Sequence, residues 1–195
     1  MLDGIPGVGK TQASKYLAEQ LSVPLFRLDV AAMMDKYLGV AESQLASNLD
    51  TLDNEAPCVV LIDEIEKVFN TQDDEEKTAM RMLSRLLWWL QEHTSRVMVV
   101  MTTNDVKAIP REIYRAGRID EVMELSGLTK AQAVAFAKQY LKHFSKTKNG
   151  LSLPTPTKVM ARITDLYGDG VTRISHAEAI AAVKSLIKKV NVKEK

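Results

Sequence analysis

The chain has little of what would place a protein outside a reducing, aqueous compartment. Its 195 residues include one cysteine, 6% aromatic residues and a formal net charge of only +1. Cys58 cannot form an internal disulfide, and its apolar surroundings predict a core position. No apolar run approaches the ~20 residues of a membrane-spanning helix. We therefore expect a cytoplasmic protein without a membrane segment, and the balanced charge does not favour nucleic acid as a partner.

A glycine-rich octapeptide, Gly-Ile-Pro-Gly-Val-Gly-Lys-Thr at residues 4–11, stands near the start of the chain. Its Gly-x-x-x-x-Gly-Lys-Thr pattern is the phosphate-binding loop motif, in which Lys10 reaches the β- and γ-phosphates and Thr11 offers a hydroxyl to Mg²⁺. Helix-forming residues follow at once, and a helix N-terminus favours an anion. The pattern predicts a nucleoside triphosphate site. The expected contacts are Gly4, Pro6, Gly7, Val8, Gly9, Lys10, Thr11 and Gln12.

Only three residues precede this loop, although such loops normally leave the end of a buried strand. We expect that upstream sequence has been removed, because adenine pockets usually draw on residues before the loop. A targeting segment in that upstream sequence stays an open alternative.

Strand and helix signals alternate through the first two thirds of the chain. Strands are predicted at residues 24–30, 58–62, 97–101 and 121–125, separated by helical spacing that is interrupted at residues 37–39. This alternation predicts a parallel sheet with helices on both faces. Beyond Gly127 the strand signals stop, and three helices are expected near residues 130–144, 157–167 and 175–190. We therefore predict an α/β domain at residues 1–126 and a small helical domain at 127–195.

Two acidic residues, Asp63 and Glu64, follow the apolar run of residues 58–62. At the carboxyl end of a central strand, Asp63 would lie near the triphosphate and hold Mg²⁺ with Thr11 or through a water. Glu64 would orient and deprotonate the attacking water. Paired acids at a strand end are common, but together with the Lys10 loop they form a second nucleotide signal.

These motifs make the chain resemble an AAA+ ATPase of the classical AAA group over essentially its whole length. Residues 4–11 resemble Walker A and residues 59–64 resemble Walker B. Asn104 matches the sensor-1 asparagine that helps to position the lytic water. The resemblance implies a P-loop NTPase-type sheet with a helical lid, ATP and Mg²⁺ as ligands, and catalytic roles for Lys10, Glu64 and Asn104.

Residues 113–120 resemble the family's Leu-Arg-Pro-Gly-Arg-Phe-Asp segment, with alanine in place of proline at position 116. Arg115 and Arg118 therefore match its arginine fingers, and we favour Arg115 as the dominant one. Arginine suits this role because its planar, permanently charged fork can bind a phosphate bidentately. A finger that reaches a neighbour's nucleotide implies a closed homo-oligomeric ring, for which we expect six subunits. The alternative is that both arginines are solvated loop charges.

The segment Lys36, Tyr37, Leu38 and Gly39 resembles the aromatic pore loop of the family. An aromatic ring followed by a glycine can grip an extended peptide through apolar contact without demanding a sequence. The alternative is that Tyr37 packs on the core.

Residues 168–170 resemble the Gly-Ala-Asp turn of the family's lid, which makes Gly170 a further expected nucleotide contact. Arg173 lies close to the position where other relatives place a sensor arginine. We favour the alternative for Arg173, an exposed arginine at the start of a helix.

The function that the resemblance implies is an ATP-driven ring that remodels, unfolds or threads protein substrates through a central pore. Two alternatives stay open. One is a nucleic-acid-associated ATPase such as a helicase loader or clamp loader, for which the lysine-rich end of the chain leaves room. The other is a regulatory ATPase whose nucleotide state controls assembly only.

Overall fold

The computed structural model describes residues 1–34, 38–69, 73–110, 113, 118–147, 153–168 and 170–192. The chain forms two compact units. The first comprises Met1–Gly4 and Lys10–Leu125, and the second comprises Ile5–Gly9 and Ser126–Lys195. The assignment of a nucleotide-binding domain to residues 1–126 and a lid to 127–195 stays a prediction, because packing alone does not identify the role of a unit.

A five-stranded sheet forms the framework of the first unit. The strands are β1 (Leu2–Asp3), β2 (Leu25–Arg27), β3 (Cys58–Ile62), β4 (Val97–Thr103) and β5 (Met123–Glu124). Their spatial order is β2-β3-β4-β1-β5, and every pairing between neighbouring strands is parallel. This confirms the predicted α/β fold of the P-loop NTPase type.

Helices cover both faces of this sheet. In the described part of the first unit they are α1 (Lys10–Leu21), α2 (Val30–Met34), α3 (Leu38–Asn54) and α4 (Asp73–Glu92), with 3₁₀ helices at Ile65–Phe69 and Val106–Ala108. Alternate residues of β3 point to opposite faces. Cys58, Val60 and Ile62 belong to a large core that also contains residues of α2, α3 and α4, whereas Val59 belongs to a smaller cluster with Ala18 of α1.

Helix α3 differs from the sequence-based expectation at its start. Residues 37–39 were expected to interrupt the helical pattern, but Leu38 and Gly39 already belong to α3. A helical glycine costs only about 1 kcal/mol relative to alanine. The fully buried face of α3, which includes Ala41 and Leu45, outweighs that cost.

The carboxyl end of α4 is tied to α3 by a buried tryptophan. Trp89 is 5% exposed, and its Nε1 donates to Asp53 Oδ2 at 2.9 Å. Its ring stacks on His93 with a centroid distance of 4.3 Å. The preceding residue, Trp88, is 63% exposed. The adjacent tryptophans therefore have opposite environments on one helix.

The second unit packs three helices around its own apolar core, which includes Ala133, Val159 and Ile163. The expected helices are present as α5 (Lys130–Thr147), α6 (Pro156–Asp165) and α7 (His176–Val192). An isolated antiparallel bridge between Leu128 and Ile174 adds strand-like pairing that was not expected beyond Gly127.

Gly7 lies against the start of α7 within this second unit. Its carbonyl oxygen accepts a hydrogen bond from Ala177 N at 3.1 Å. Its φ of +82° is in the left-handed region, and a Cβ added there would lie 2.8 Å from the Ala177 Cβ. Both constraints require glycine at this position.

Helix α7 begins with a capping box formed by Ser175 and Glu178. The Glu178 carboxylate accepts from Ser175 N at 2.7 Å and from Ser175 Oγ at 2.8 Å, while Glu178 N donates to Ser175 Oγ at 3.2 Å. These reciprocal bonds satisfy N–H groups that the first turn of a helix cannot bond internally. Hydrogen bonds from the backbone and the hydroxyl of Ser175 lower the pKa of Glu178 below its usual value.

The capping box makes the stability of the second unit depend on pH. Since the pKa of Glu178 is depressed by folding, the stabilisation is present above its unfolded pKa and is lost as pH falls through the folded pKa. We expect Glu178→Gln to lower the free energy of unfolding by about 0.3–1 kcal/mol at neutral pH, and the difference from the wild type to disappear once acid has protonated the carboxylate in the folded protein. Urea denaturation followed by circular dichroism measures this.

The matched control for this prediction is Asp165→Asn at the end of α6. A carboxylate at a helix C-terminus gains nothing from the helix dipole, so this change should not lower stability. A Glu178→Gln effect that persists unchanged in acid would contradict the role of the charge.

Candidate active site

The register of the sheet brings three predicted site segments to one edge. Asp3 pairs with Thr103, and Ile62 pairs with Met101. The glycine-rich loop after β1, the acids after β3 and Asn104 after β4 therefore leave the sheet at the carboxyl ends of adjacent strands. In open α/β sheets this edge is where ligands bind.

Lys10 is the first residue of α1 and is only 7% exposed. Its Nζ donates to the carbonyl oxygen of Gly4 and to Asn104 Oδ1, the latter at 2.9 Å. Burial lowers the pKa of Lys10, and the nearby carboxylates, Glu66 first among them, oppose that shift. The predicted phosphate-binding lysine and the predicted sensor asparagine are thus in direct contact.

The glycines of the loop allow its turn toward α1. Gly9 has a φ of +99°, a conformation that L side chains rarely adopt, and a Cβ built there would meet nothing within 4 Å. The backbone conformation alone therefore requires glycine at position 9, and the space beside it is open.

Thr11 and Asp63 form the predicted pair of metal ligands. Thr11 Oγ lies 3.3 and 3.4 Å from the two carboxylate oxygens of Asp63. Hydroxyl and carboxylate oxygens are the ligands that Mg²⁺ prefers. Among the described residues, no group of three or more His, Cys, Asp or Glu side chains could hold a metal ion. This donor set fits an ion that takes most of its ligands from phosphates and water.

Thr102 supports both acidic residues, although no sequence motif marks it. It is fully buried on β4. Its hydroxyl donates to Asp63 Oδ1 at 2.6 Å and accepts from Glu64 N at 3.0 Å. A threonine within an apolar strand resembles an ordinary β-branched residue, so only the pairing of β3 with β4 reveals this role.

Glu64 has a strained backbone and an accessible carboxylate. Its φ of +55° is unusual for a residue other than glycine and costs about 1–3 kcal/mol, which is typical of functional sites. The carboxylate forms an ion pair with Lys67, with side-chain exposures of 40% and 59%. This hydrogen bond raises the pKa of Lys67. Because exposed ion pairs contribute little, the carboxylate stays available for chemistry.

A second cation lies near the predicted metal ligands. Arg27, at the end of β2, has its Nη2 3.8 Å from Asp63 Oδ2. Its side chain is 61% exposed, so this is a weak, screened interaction. Sequence reasoning missed Arg27 because an exposed strand-end arginine carries no motif.

Glu66 is a further residue that sequence reasoning missed. It is 8% exposed in the 3₁₀ helix after β3. Its Oε1 accepts from Asn104 Nδ2 at 2.8 Å and from Asn104 N at 3.2 Å. Asn104 therefore bridges a buried cation and a buried anion, Lys10 and Glu66.

Several predicted site residues lie outside the described residues. These are Lys36, Tyr37 and Arg115. Leu38 and Gly39 are described only as the first residues of α3. Arg118 is half-buried, Pro6 and Gln12 are exposed, and Val8 is buried. The roles assigned to all of them stay predictions.

In the second unit, Gly170 has a φ of +87° with open space around its Cβ position. Arg173 Nη1 donates to Ser126 Oγ at 2.9 Å and to Gly127 O at 2.7 Å. The contacts of Arg173 within its own unit thus favour a structural role, and Gly170 stays a predicted nucleotide contact.

Comparison with known proteins gives the family. The family model described as "ATPase family associated with various cellular activities (AAA)" matches residues 1–126. The chain belongs to the AAA family. The AAA domain-containing protein ycf46 of Trieres chinensis is 38% identical over 127 residues, which cover 64% of this chain and 26% of the relative. The AAA chain thus spans about a quarter of the length of that relative.

Two further relatives of this AAA chain have more informative names. A 26S proteasome regulatory subunit 4 homolog of Encephalitozoon cuniculi is 31% identical over 130 residues, covering 64% of this chain and 31% of the relative. Protein CdcH of Halobacterium salinarum is 29% identical over 128 residues, covering 64% and 17%. In the described part of the AAA chain, no helix has the length and apolarity needed to cross a membrane.

The support that Thr102 gives to the acidic pair can be tested by Thr102→Val. The isosteric change leaves a carboxylate oxygen of Asp63 and the backbone N–H of Glu64 without their shared partner. We expect the free energy of unfolding to fall by about 1–3 kcal/mol. Urea denaturation followed by circular dichroism measures it.

Thr51→Val on the exposed surface of α3 is the control, and it should change stability by less than about 0.5 kcal/mol. Equal effects of the two substitutions would show that the Thr102 hydroxyl contributes nothing specific.

Proposed function

We propose that this chain hydrolyses ATP with Mg²⁺ as one subunit of a homo-oligomeric ring, a hexamer, and remodels protein substrates in the central pore of that ring. The observation that carries the proposal is the convergence of Lys10, Thr11, Asp63, Glu64 and Asn104 at the carboxyl ends of β1, β3 and β4. The same residue types were expected from separate motifs, and the fold brings them together.

The binding half of the site follows from charge and donors. Lys10 is a buried ammonium beside a loop that precedes a helix N-terminus, so this position favours a polyphosphate. Thr11 and Asp63 would hold Mg²⁺, which when bound neutralises charge on the phosphate oxygens. Binding of a phosphate to Lys10 Nζ would replace its present contacts with Gly4 and Asn104.

The hydrolytic half of the site depends on Glu64 and Asn104. The Glu64 carboxylate would accept a proton from a water molecule as the oxygen of that water bonds to the γ-phosphorus. The bond from the γ-phosphorus to the bridging oxygen breaks, and ADP and phosphate leave. Asn104 would orient the water. The hydrogen bond from Glu64 N to Thr102 fixes the backbone of the base.

A ring is supported by the arginine-finger pattern at Arg115 and Arg118 and by the relative named as a proteasome regulatory subunit. A finger supplied by a neighbour is worth ~10³–10⁵ in rate in related NTPases. Remodelling of protein is supported by the aromatic segment at residues 36–39 and by the near-neutral charge of the chain.

Glu64→Gln should separate binding from hydrolysis. The amide cannot accept the proton, so phosphate release should fall about 10²–10⁴-fold while calorimetry still detects Mg²⁺-ATP binding. Lys10→Met should lose the binding itself, because the buried cation is gone. Glu55→Gln, an exposed acid beyond α3, should match the wild type.

Full turnover by Glu64→Gln would refute the proposed base. The same variant, loaded with ATP, should retain an unfolded polypeptide on pulldown. Retention or stimulation by single-stranded DNA instead of polypeptide would overturn the proposed substrate class.

The shared site can be tested by mixing inactive subunits. An Arg115→Ala, Arg118→Ala double variant has an intact base but no finger, whereas Glu64→Gln has the finger but no base. If fingers act between subunits, a mixture should regain part of the phosphate release that each lacks alone, with Arg85→Ala as an arginine control. A mixture as inactive as its components would mean that the arginines do not act across subunits.

A further inference from the structure

Glu66 is a buried charge without an evident structural reason. Its side chain is 8% exposed, and Oε2 has no hydrogen-bond partner among the described residues. Burying an unpaired carboxylate oxygen costs free energy that an apolar side chain would not. Such a group in a folded protein calls for an explanation, and the contacts of Oε1 supply one.

The carboxylate decides which way the Asn104 amide points. A carboxylate can only accept hydrogen bonds, and a lysine ammonium can only donate them. Asn104 must therefore present its Nδ2 to Glu66, at 2.8 Å, and its Oδ1 to Lys10, at 2.9 Å. The chemistry of the two neighbours removes the usual ambiguity in the orientation of an amide.

This orientation has a consequence for hydrolysis. When Lys10 turns to a phosphate, the polar atom of Asn104 that is released is Oδ1, because Nδ2 is still held by Glu66. The amide then faces the site as a hydrogen-bond acceptor. A water that donates one proton to Asn104 Oδ1 and the other to Glu64 keeps a lone pair free to attack phosphorus.

We propose that Glu66 is a positioning residue for hydrolysis, which acts through Asn104 by holding its amide so that Oδ1 faces the attacking water. This inference rests on the proposed function. The second glutamate of the segment Asp-Glu-Ile-Glu thus has a role distinct from those of Asp63 and Glu64, since it acts through Asn104.

The strongest test exchanges the charge between the two positions. Asn104→Asp places two carboxylates against each other, and its turnover should fall steeply. Adding Glu66→Gln restores a donor opposite the new carboxylate and returns the net charge of the pair to that of the wild type. We expect the double variant to regain at least about tenfold in kcat over Asn104→Asp, within the roughly 10–100-fold that supporting contacts of a site contribute, with KM for ATP changed less than about threefold.

A role confined to stability would give a different result. In that case the double variant would refold as well as the wild type without recovering kcat, or recovery would appear in KM alone. Either result overturns the proposal. Glu55→Gln should leave both constants unchanged. Each substitution in the exchange conserves side-chain volume, so the test does not depend on a variant with a core cavity.

A second readout needs no turnover. In the nucleotide-free protein, the Nδ2 protons of Asn104, assigned in the NMR spectrum by their loss in Asn104→Asp, should shift when Glu66→Gln removes the charged acceptor. Unchanged shifts would overturn the proposal even in an active enzyme. If these chemical shifts change but the protein has no ATPase activity, the amide orientation is supported and the proposed function is refuted.

Discussion

The parallel register of β3, β4 and β1 is the constraint on which the site depends. Each of the predicted site segments leaves the sheet directly beyond a paired strand, so the pairing of Ile62 with Met101 and of Asp3 with Thr103 decides which side chains meet. A one-residue slip would turn every strand residue to the opposite face. The complete burial of β3 on both faces makes such a slip very costly.

Two neutral side chains of β4 and its end hold the charged groups of the site. Thr102 bonds the Asp63 carboxylate and the backbone N–H of Glu64, and Asn104 stands between a buried ammonium and a buried carboxylate. A buried charge is tolerated only when it is paired or hydrogen-bonded. Here Asn104 hydrogen-bonds both the Lys10 ammonium and the Glu66 carboxylate, and Thr102 hydrogen-bonds the Asp63 carboxylate. These neutral side chains therefore also fix the orientation of the charged groups that they contact.

Local patterns predicted the framework well. The apolar run before Asp63 predicted β3, and the Gly-Lys-Thr motif predicted the loop and the helix that follows, because both signals lie in contiguous residues. The predicted start of α3 was wrong, since Gly39 reads as a break unless the buried face beyond it is known. Thr102 and Glu66 could not be identified, because their roles exist only across the β3–β4 pairing. The predictions for Tyr37 and Arg115 stay predictions, since both lie outside the described residues.

The two adjacent tryptophans of α4 have a spectroscopic consequence. They are the only tryptophans of the chain, and both belong to the first unit. Tryptophan fluorescence, excited selectively where tyrosine does not absorb, therefore reports on the sheet unit and not on the three-helix unit. Trp88 is already in water and Trp89 is not, so a red shift of the emission belongs to Trp89 and marks the release of its bond to Asp53.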